Sequence, residues 1–182
     1  MILMLLQSSN KSDFSTISIV VYSFTLISMF GVSTVYHYSK NPILKKKLRI
    51  LDHINIYFLI AGTYTPVALI TLINGNGWII FYAVWGFAIF GIFFKLNYTG
   101  KFEFLSLLLY AVMGWLIVID IDNLSDALPK LGMHLLMLGG AFYTLGILFY
   151  AIRRIPNNHF IWHLFVLGGA VSHWLMIYWT VV

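Results

Sequence analysis

Six long runs of apolar residues dominate the sequence and are separated by short stretches rich in turn-forming and charged residues. Each run is close to the length of about 20 residues that an α-helix needs to cross the hydrocarbon core of a bilayer. Breaker residues stand between the runs, among them Asn41-Pro42, Asn74-Gly75 and Pro156-Asn157. The pattern predicts six membrane-spanning helices near residues 14–38, 54–73, 77–94, 102–119, 131–151 and 159–181.

The composition excludes an ordinary water-soluble protein and predicts one polytopic membrane domain over residues 1–182. Hydrophobic residues make up 60% of the 182 residues and charged residues only 9%, whereas soluble domains carry roughly a quarter charged residues. Cysteine is absent, so disulfides, thiolate nucleophiles and sulfur-ligated metal sites are excluded. Any metal here would be bound by histidine, carboxylate or water.

The basic residues predict how the chain is oriented in the membrane. Nine of the eleven lysines and arginines fall in the first, third and fifth loops: Lys40, Lys45, Lys46, Lys47, Arg49, Lys95, Lys101, Arg153 and Arg154. Short basic loops stay on the cytoplasmic side, so these loops are expected in the cytoplasm and the C-terminus outside. Topology and anionic lipid headgroups account for the excess of basic residues, and no nucleic-acid partner is expected.

The first six residues, Met1 to Leu6, are apolar and follow no basic residue. They are too few for the core of a signal peptide, which has roughly 7 to 15 apolar residues. We expect them to be the end of a helix whose beginning is missing, so that six complete helices follow the remnant of a first one.

Histidine and aspartate residues of three predicted helices lie at the same, cytoplasmic end of the bundle. They are His37 at the end of the first helix, Asp52 and His53 at the start of the second, and His159 and His163 at the start of the sixth. Residues four apart share one face of a helix, and two helical histidines at this spacing can bind one divalent metal. Polar residues in a membrane usually face the bundle interior. The cluster is therefore a candidate metal site.

Three imidazoles and a water would give the open tetrahedral arrangement of catalytic zinc. The metal would lower the pKa of that water toward 7 and so supply a hydroxide nucleophile. Asp52 could accept a proton from the water or orient it. Ser33 lies one turn deeper than His37 on the same face and could hydrogen-bond to the site or to a substrate.

Each of these residues also has a purely structural interpretation. The histidines could anchor the helices at the headgroup level, Asp52 could be the N-cap of the second helix, and Ser33 could join two helices by a hydrogen bond. His134 and His173 are interpreted as structural. The aromatic residues, including six tryptophans, are typical of an interfacial belt and of packing.

Three motifs resemble the bacterial hemolysin III family. They are STVYH at residues 33–37, LDHINIYFLIAGTYTP at residues 51–66, and HFIWHLFVLG at residues 159–168, followed by His173. This family comprises the bacterial relatives of the progestin and adipoQ receptors, which are grouped more distantly with the alkaline ceramidases. The resemblance runs from about residue 14 to the end of the chain.

The resemblance implies a seven-helix fold with a zinc ion near the cytoplasmic face of a bacterial plasma membrane. By motif position the zinc ligands would be His37, His159 and His163, completed by a water. Asp52 would match the aspartate that contacts this water, and Ser33 the serine of the S-x-x-x-H motif. In the eukaryotic branch the zinc site is linked to the hydrolysis of ceramide.

Three functions follow as hypotheses. The first is a membrane zinc hydrolase of a lipid amide or ester, with Asp52 and Ser33 as its catalytic residues. The second is a receptor or regulator in which zinc is not catalytic, and the third is a pore-forming hemolysin or channel. Residues 54–94 contain no charged side chain, so the rings of charge that line many ion pathways are not predicted there. A membrane lipid is the expected substrate or ligand; the sequence leaves its identity and the oligomeric state open.

Overall fold

The computed structural model describes residue 4 and residues 12–99, 101–152 and 154–182. Among these residues all regular structure is helical, which confirms the predicted all-α membrane bundle. Six helical spans of the described part are long and apolar enough to cross a membrane. They are formed by α1 (Ser15–Tyr38), α2 (Pro42–Pro66) with a π-helical turn (Val67–Thr71), α3 (Gly77–Tyr98), α4 (Glu103–Gly114) with a 3₁₀ turn (Leu116–Asp120) and α5 (Ile121–Ala127), α6 (Lys130–Ala151), and α7 (Asn158–Met176) with a π-helical turn (Ile177–Val181).

The second helix begins at Pro42, twelve residues earlier than residue 54, where hydropathy predicts its start. The side chain of Asn41 accepts hydrogen bonds from the backbone N–H groups of Ile43 and Leu44, at 3.0 and 3.1 Å. Pro42 follows at the first helical position, where its missing N–H costs nothing. Because Asn41 caps the helix, the lysines and arginine at residues 45–49 belong to the helix and not to the loop before it. The alternative interpretation that Asp52 is the N-cap is therefore wrong.

The fourth span also differs from the prediction, because it continues past residue 119 to Ala127 and is interrupted after Gly114. The hydroxyl group of Tyr64 occupies the interruption. It donates to the carbonyl oxygen of Gly114 at 2.9 Å and accepts from the N–H of Ile117 at 3.0 Å. A side chain from α2 therefore satisfies backbone groups that the broken helix leaves without partners.

The second span is the central element of the bundle. In its most apolar stretch 72% of the residues are buried, against 17% to 39% in the other five spans. Among the pairs of helices, α1 packs most closely against α2, and α6 against α7. Pro66 ends the α-helical part of this span, and the chain continues as a π-helical turn. A proline cannot donate a backbone hydrogen bond, so a change of helix type at this position is expected.

The predicted helix remnant at Met1 to Leu6 lies outside the described residues except for Met4. Met4 is helical and fully buried. It belongs to the hydrophobic core formed around α2, together with Ile19 and Tyr22 of α1.

The tight turn before α3 requires a residue without a side chain at position 77. A Cβ atom there would overlap the carbonyl oxygen of Ala68 and approach that of Leu72 to 2.5 Å, and both are backbone atoms that cannot rotate away. We expect Gly77→Ala to lower the free energy of unfolding by about 2 kcal/mol. Thermal unfolding in detergent would measure this.

Gly86 provides the matched control on the same helix, since a Cβ atom there has no neighbour within 4 Å. We expect Gly86→Ala to leave the stability unchanged or to raise it by up to about 1 kcal/mol, because alanine favours a helix over glycine. Equal melting temperatures for the two variants would contradict the steric argument.

Candidate metal centre

Three histidine side chains from the two outer ends of the sequence meet at one end of the bundle. His37 lies in the last turn of α1, and His159 and His163 lie one turn apart on the same face of α7. Their Nε2 atoms are separated by 3.3 Å (His37 to His159), 3.2 Å (His37 to His163) and 3.1 Å (His159 to His163). Within the described part of the chain, these three histidines form the one cluster of three or more ligand side chains that could hold a metal ion.

The geometry of the three nitrogen atoms fits zinc. With bonds of about 2.0–2.1 Å, two ligand nitrogens on a tetrahedral zinc ion lie roughly 3.3 Å apart. The three observed separations are close to this value. A neutral imidazole has one N–H and one lone pair, so three converging nitrogens cannot all satisfy one another by hydrogen bonds. A cation that accepts three lone pairs resolves this conflict.

Asp52 adds a buried carboxylate near the histidines. Its side chain is only 6% exposed, and its Oδ1 atom has no hydrogen-bond partner in the structure. The carboxylate interacts electrostatically with both His159 and His163. Because buried polar atoms are normally hydrogen-bonded, Oδ1 is available to a group that enters the site.

Ser33 and His53 lie near the histidine cluster but outside it. Ser33 is buried one turn below His37 on α1, and within the described residues its hydroxyl group makes no hydrogen bond to the three histidines. The Nδ1 atom of His53 lies 2.7 Å from the carbonyl oxygen of Arg49, one turn earlier on α2. The structure therefore brings together three of the predicted histidines, His37, His159 and His163. The side chain of His53 instead contacts the backbone of its own helix.

A charged network near His53 was not predicted from the sequence. Lys95, at the end of α3, is fully buried, and its ammonium group lies 2.9 Å from Glu103 at the start of α4. Arg49 of α2 approaches the other oxygen of Glu103 at 3.7 Å. One signal could have revealed the network, because Glu103 is the single glutamate of the sequence and follows Lys95 by eight residues across a turn.

Tyr110 links the same region to α4. Its hydroxyl group donates to the carbonyl oxygen of His53 at 3.2 Å, so Glu103 and Tyr110 both hold the segment of α2 that carries Asp52. The position of this segment therefore depends on α3 and α4 as well as on α2 itself.

A cavity of about 90 Å³ lies inside the bundle. Its wall is almost entirely apolar and comes from five of the spans, through Met29, Ile56, Leu59, Ile60, Thr63, Tyr64, Tyr110, Ala111, Gly114, Trp115, Gly140, Tyr143, Thr144, Ile147, Trp162, Val166 and His173. Trp162 directly precedes the ligand candidate His163, and Ile56 lies one turn below Asp52. Trp115 and Thr144 are exposed lining residues, and the indole N–H of Trp115 donates to the hydroxyl group of Thr144 at 3.1 Å, so a hydrogen bond joins the fourth and fifth spans at this part of the wall.

The two histidines interpreted as structural occupy different positions. His134 is exposed on α6. His173 lines the cavity, its Nε2 atom lies 3.3 Å from the carbonyl oxygen of Leu136, and its ring packs on Tyr143. Neither joins the cluster of His37, His159 and His163.

Comparison with known proteins assigns the chain to a family. The profile of the family described as "Haemolysin-III related" matches residues 1–174. The chain belongs to the hemolysin III family. The family predicted from the three sequence motifs is thereby confirmed.

Relatives of this hemolysin III protein are found in bacteria and in animals. "Hemolysin-3" of Bacillus cereus is 41% identical over 169 residues, which cover 93% of this chain and 77% of the relative. The "Hemolysin-3 homolog" of Bacillus subtilis (strain 168) is 38% identical over 170 residues, 93% of this chain and 80% of the relative. "Monocyte to macrophage differentiation factor" of Homo sapiens is 31% identical over 169 residues, 87% of this chain and 68% of the relative. No solved structure matches the chain.

Proposed function

We propose that this protein is a zinc-dependent membrane hydrolase that cleaves an amide or ester bond of a lipid. The observation that carries the proposal is the convergence of three Nε2 atoms within 3.1–3.3 Å of one another, within electrostatic range of a buried carboxylate that has an oxygen atom without a hydrogen-bond partner. Three neutral donors and an adjacent base are the parts that a metal-dependent hydrolase needs.

The roles of the residues follow from their positions. His37, His159 and His163 would hold the metal. When bound, a zinc ion supplies the Lewis acidity that makes water nucleophilic near neutral pH. Asp52 would accept the proton that the attacking water loses and return it to the leaving group. Ser33, buried on the same helix as His37, would hydrogen-bond to a polar group of the substrate.

The cavity supports a lipid as the substrate. Its wall is almost entirely apolar and includes the exposed residues Trp115 and Thr144, so it suits an apolar part of a lipid next to the bond that is cleaved. The excess of lysine and arginine at the end of the bundle that carries the histidines supports a cytoplasmic location of the site. The corresponding membrane is the plasma membrane of a bacterium, with the C-terminus outside.

The test is the replacement of Asp52 by asparagine, which keeps the size of the side chain but cannot accept the proton. We expect Asp52→Asn to bind about as much zinc as the wild-type protein and to release fatty acid from lipid amides or esters about a hundredfold more slowly. Zinc content is measured by elemental analysis, and fatty acid by mass spectrometry of the reconstituted protein.

Asn55 is the matched control, since it lies on the same helix one turn further and is also buried. Its side chain bonds to Ser28 and to the carbonyl oxygen of Leu51, so Asn55→Asp should affect stability more than the ratio of turnover to bound zinc. Stoichiometric zinc without any lipid turnover in the wild-type protein would contradict the hydrolase and favour the non-catalytic receptor or regulator.

The name of the Bacillus cereus relative, Hemolysin-3, supports a second candidate, a pore-forming protein. Dye release from liposomes at a low ratio of protein to lipid distinguishes the two. Release that persists in a variant lacking all three clustered histidines would favour the pore, whereas the hydrolase predicts no release that is independent of these histidines.

A further inference from the structure

One face of α2 carries charged side chains at the end of the bundle and mostly apolar side chains toward its interior. At intervals of three or four residues, which place side chains on one face of a helix, it carries Lys45, Arg49, Asp52, Ile56, Ile60 and Thr63. We call these six residues the α2 stripe. Two cations come first, the carboxylate beside the histidines follows, and the last three residues line the cavity.

The cationic end of the stripe adjoins the histidine cluster. The ammonium group of Lys45 lies 5.7 Å from the centre of the Tyr36 ring, which in turn contacts the ring of His37 with centres 4.7 Å apart. The side chain of Arg49 is 47% exposed. Both side chains are therefore accessible from the headgroup side, at the end of the bundle that carries the histidines.

These two cations are poorly neutralised by the protein. Within the described part of the chain no carboxylate lies within 4.0 Å of Lys45, and Arg49 reaches only Glu103, at 3.7 Å. That carboxylate is already paired with the fully buried Lys95 at 2.9 Å. Glu103 is thus the ion-pair partner of both Lys95 and Arg49, and Lys45 has no carboxylate partner among the described residues. The surface around Lys45 and Arg49 therefore carries an excess of positive charge.

We infer that the α2 stripe binds a membrane lipid with an anionic headgroup. The phosphate or carboxylate of the headgroup lies against Lys45 and Arg49, and the methylene groups of one acyl chain that follow the headgroup lie along Ile56 and Ile60, at the wall of the cavity. The bond between headgroup and chain then falls at the depth of Asp52 and the histidines. That this lipid is the substrate rests on the proposed function, whereas its binding does not.

The experiment compares lipids that differ only in headgroup charge. The full-length protein is reconstituted in phosphatidylcholine bilayers at about 0.15 M salt, and brominated phosphatidylglycerol or brominated phosphatidylcholine is added in graded amounts. Bromine quenches tryptophan, so all variants carry phenylalanine in place of the other four tryptophans, which leaves Trp115 and Trp162 at the wall of the cavity. The concentration dependence of quenching therefore reports the relative affinity of the two lipids for this site.

We expect the wild-type protein to prefer phosphatidylglycerol, and Lys45→Gln with Arg49→Gln to lower this preference about twenty-five-fold, since each basic side chain contributes a factor of roughly five. The matched control is Lys46→Gln with Lys47→Gln, which removes the same charge from the same helix but outside the stripe. It should change the preference less than about twofold. The charge-conserving pair Lys45→Arg and Arg49→Lys should keep the preference.

Two results would overturn the inference: equal quenching by both lipids in the wild-type protein, or equal loss of preference in the two glutamine variants. The second would mean that only the general surface charge attracts the lipid. Zinc content and fatty-acid release are measured on the same samples. A preference for phosphatidylglycerol without zinc or turnover would refute the proposed function and leave the binding site in place.

Discussion

Replacing His163 with alanine is expected to weaken zinc binding by roughly two to three orders of magnitude. Binding free energies of about 10–16 kcal/mol at four-ligand structural zinc sites correspond to about 2.5–4 kcal/mol for each ligand. The Nε2 atom of His163 is the one closest to both others, at 3.2 and 3.1 Å. The wild-type protein should contain about one zinc per chain, and competition with a chelator measures the loss.

His134→Ala is the control for this prediction, because His134 is exposed on α6 and lies outside the cluster. Its zinc content and affinity should equal those of the wild-type protein. A wild-type protein purified without stoichiometric metal, or a His163→Ala variant that retains full affinity, would show that the three histidines do not form a zinc site.

Glu103→Gln is expected to lower the free energy of unfolding by about 3–5 kcal/mol. The ammonium group of Lys95 is fully buried and has Glu103 as its carboxylate partner at 2.9 Å. Removing one partner of a buried ion pair leaves the other charge without compensation, which costs about this amount. Unfolding in detergent, by heat or by denaturant, provides the measurement.

The double variant Lys95→Met with Glu103→Gln distinguishes two contributions to this destabilisation. One is the lost attraction within the ion pair, and the other is the cost of leaving the buried charge of Lys95 without a partner. Because an apolar side chain can replace a buried charge at little cost, the double variant should regain most of the stability lost in Glu103→Gln. Lys101→Gln, at an exposed lysine two residues from Glu103, should stay within about 0.5 kcal/mol of the wild-type protein. Equal destabilisation by Glu103→Gln and by the double variant would contradict the explanation.

Much of the fold could be predicted because the bilayer restricts the possibilities. In lipid every backbone N–H and C=O group must be paired inside the chain, so a long apolar run must be a helix. Hydropathy could not locate the start of α2, since Asn41 and Pro42 begin that helix by capping. It also missed the interruption after Gly114, which Tyr64 stabilises from fifty positions away in the sequence.

The candidate site also has features that the sequence predicts and features that only the tertiary structure shows. The spacing of four residues between His159 and His163 is a local property of a helix, and it suffices to predict that they share a face. Asp52 could be chosen for its residue type, but its burial and its unpaired oxygen depend on the helices around it. The ion pairs of Glu103 join three helices, and no periodic pattern in one helix indicates them.

The sequence by itself determined the class of protein, the approximate positions of six spans, the family motifs and the residue types available for chemistry. The tertiary structure decided that His37 lies 3.3 Å from a histidine 122 positions later, that a cavity lies inside the bundle, and that the cationic stripe of α2 leads into it. The physical reason is that local patterns follow from the geometry of a single helix. Distances between helices follow from how side chains such as Tyr64 and Lys95 pack against residues far away in the chain.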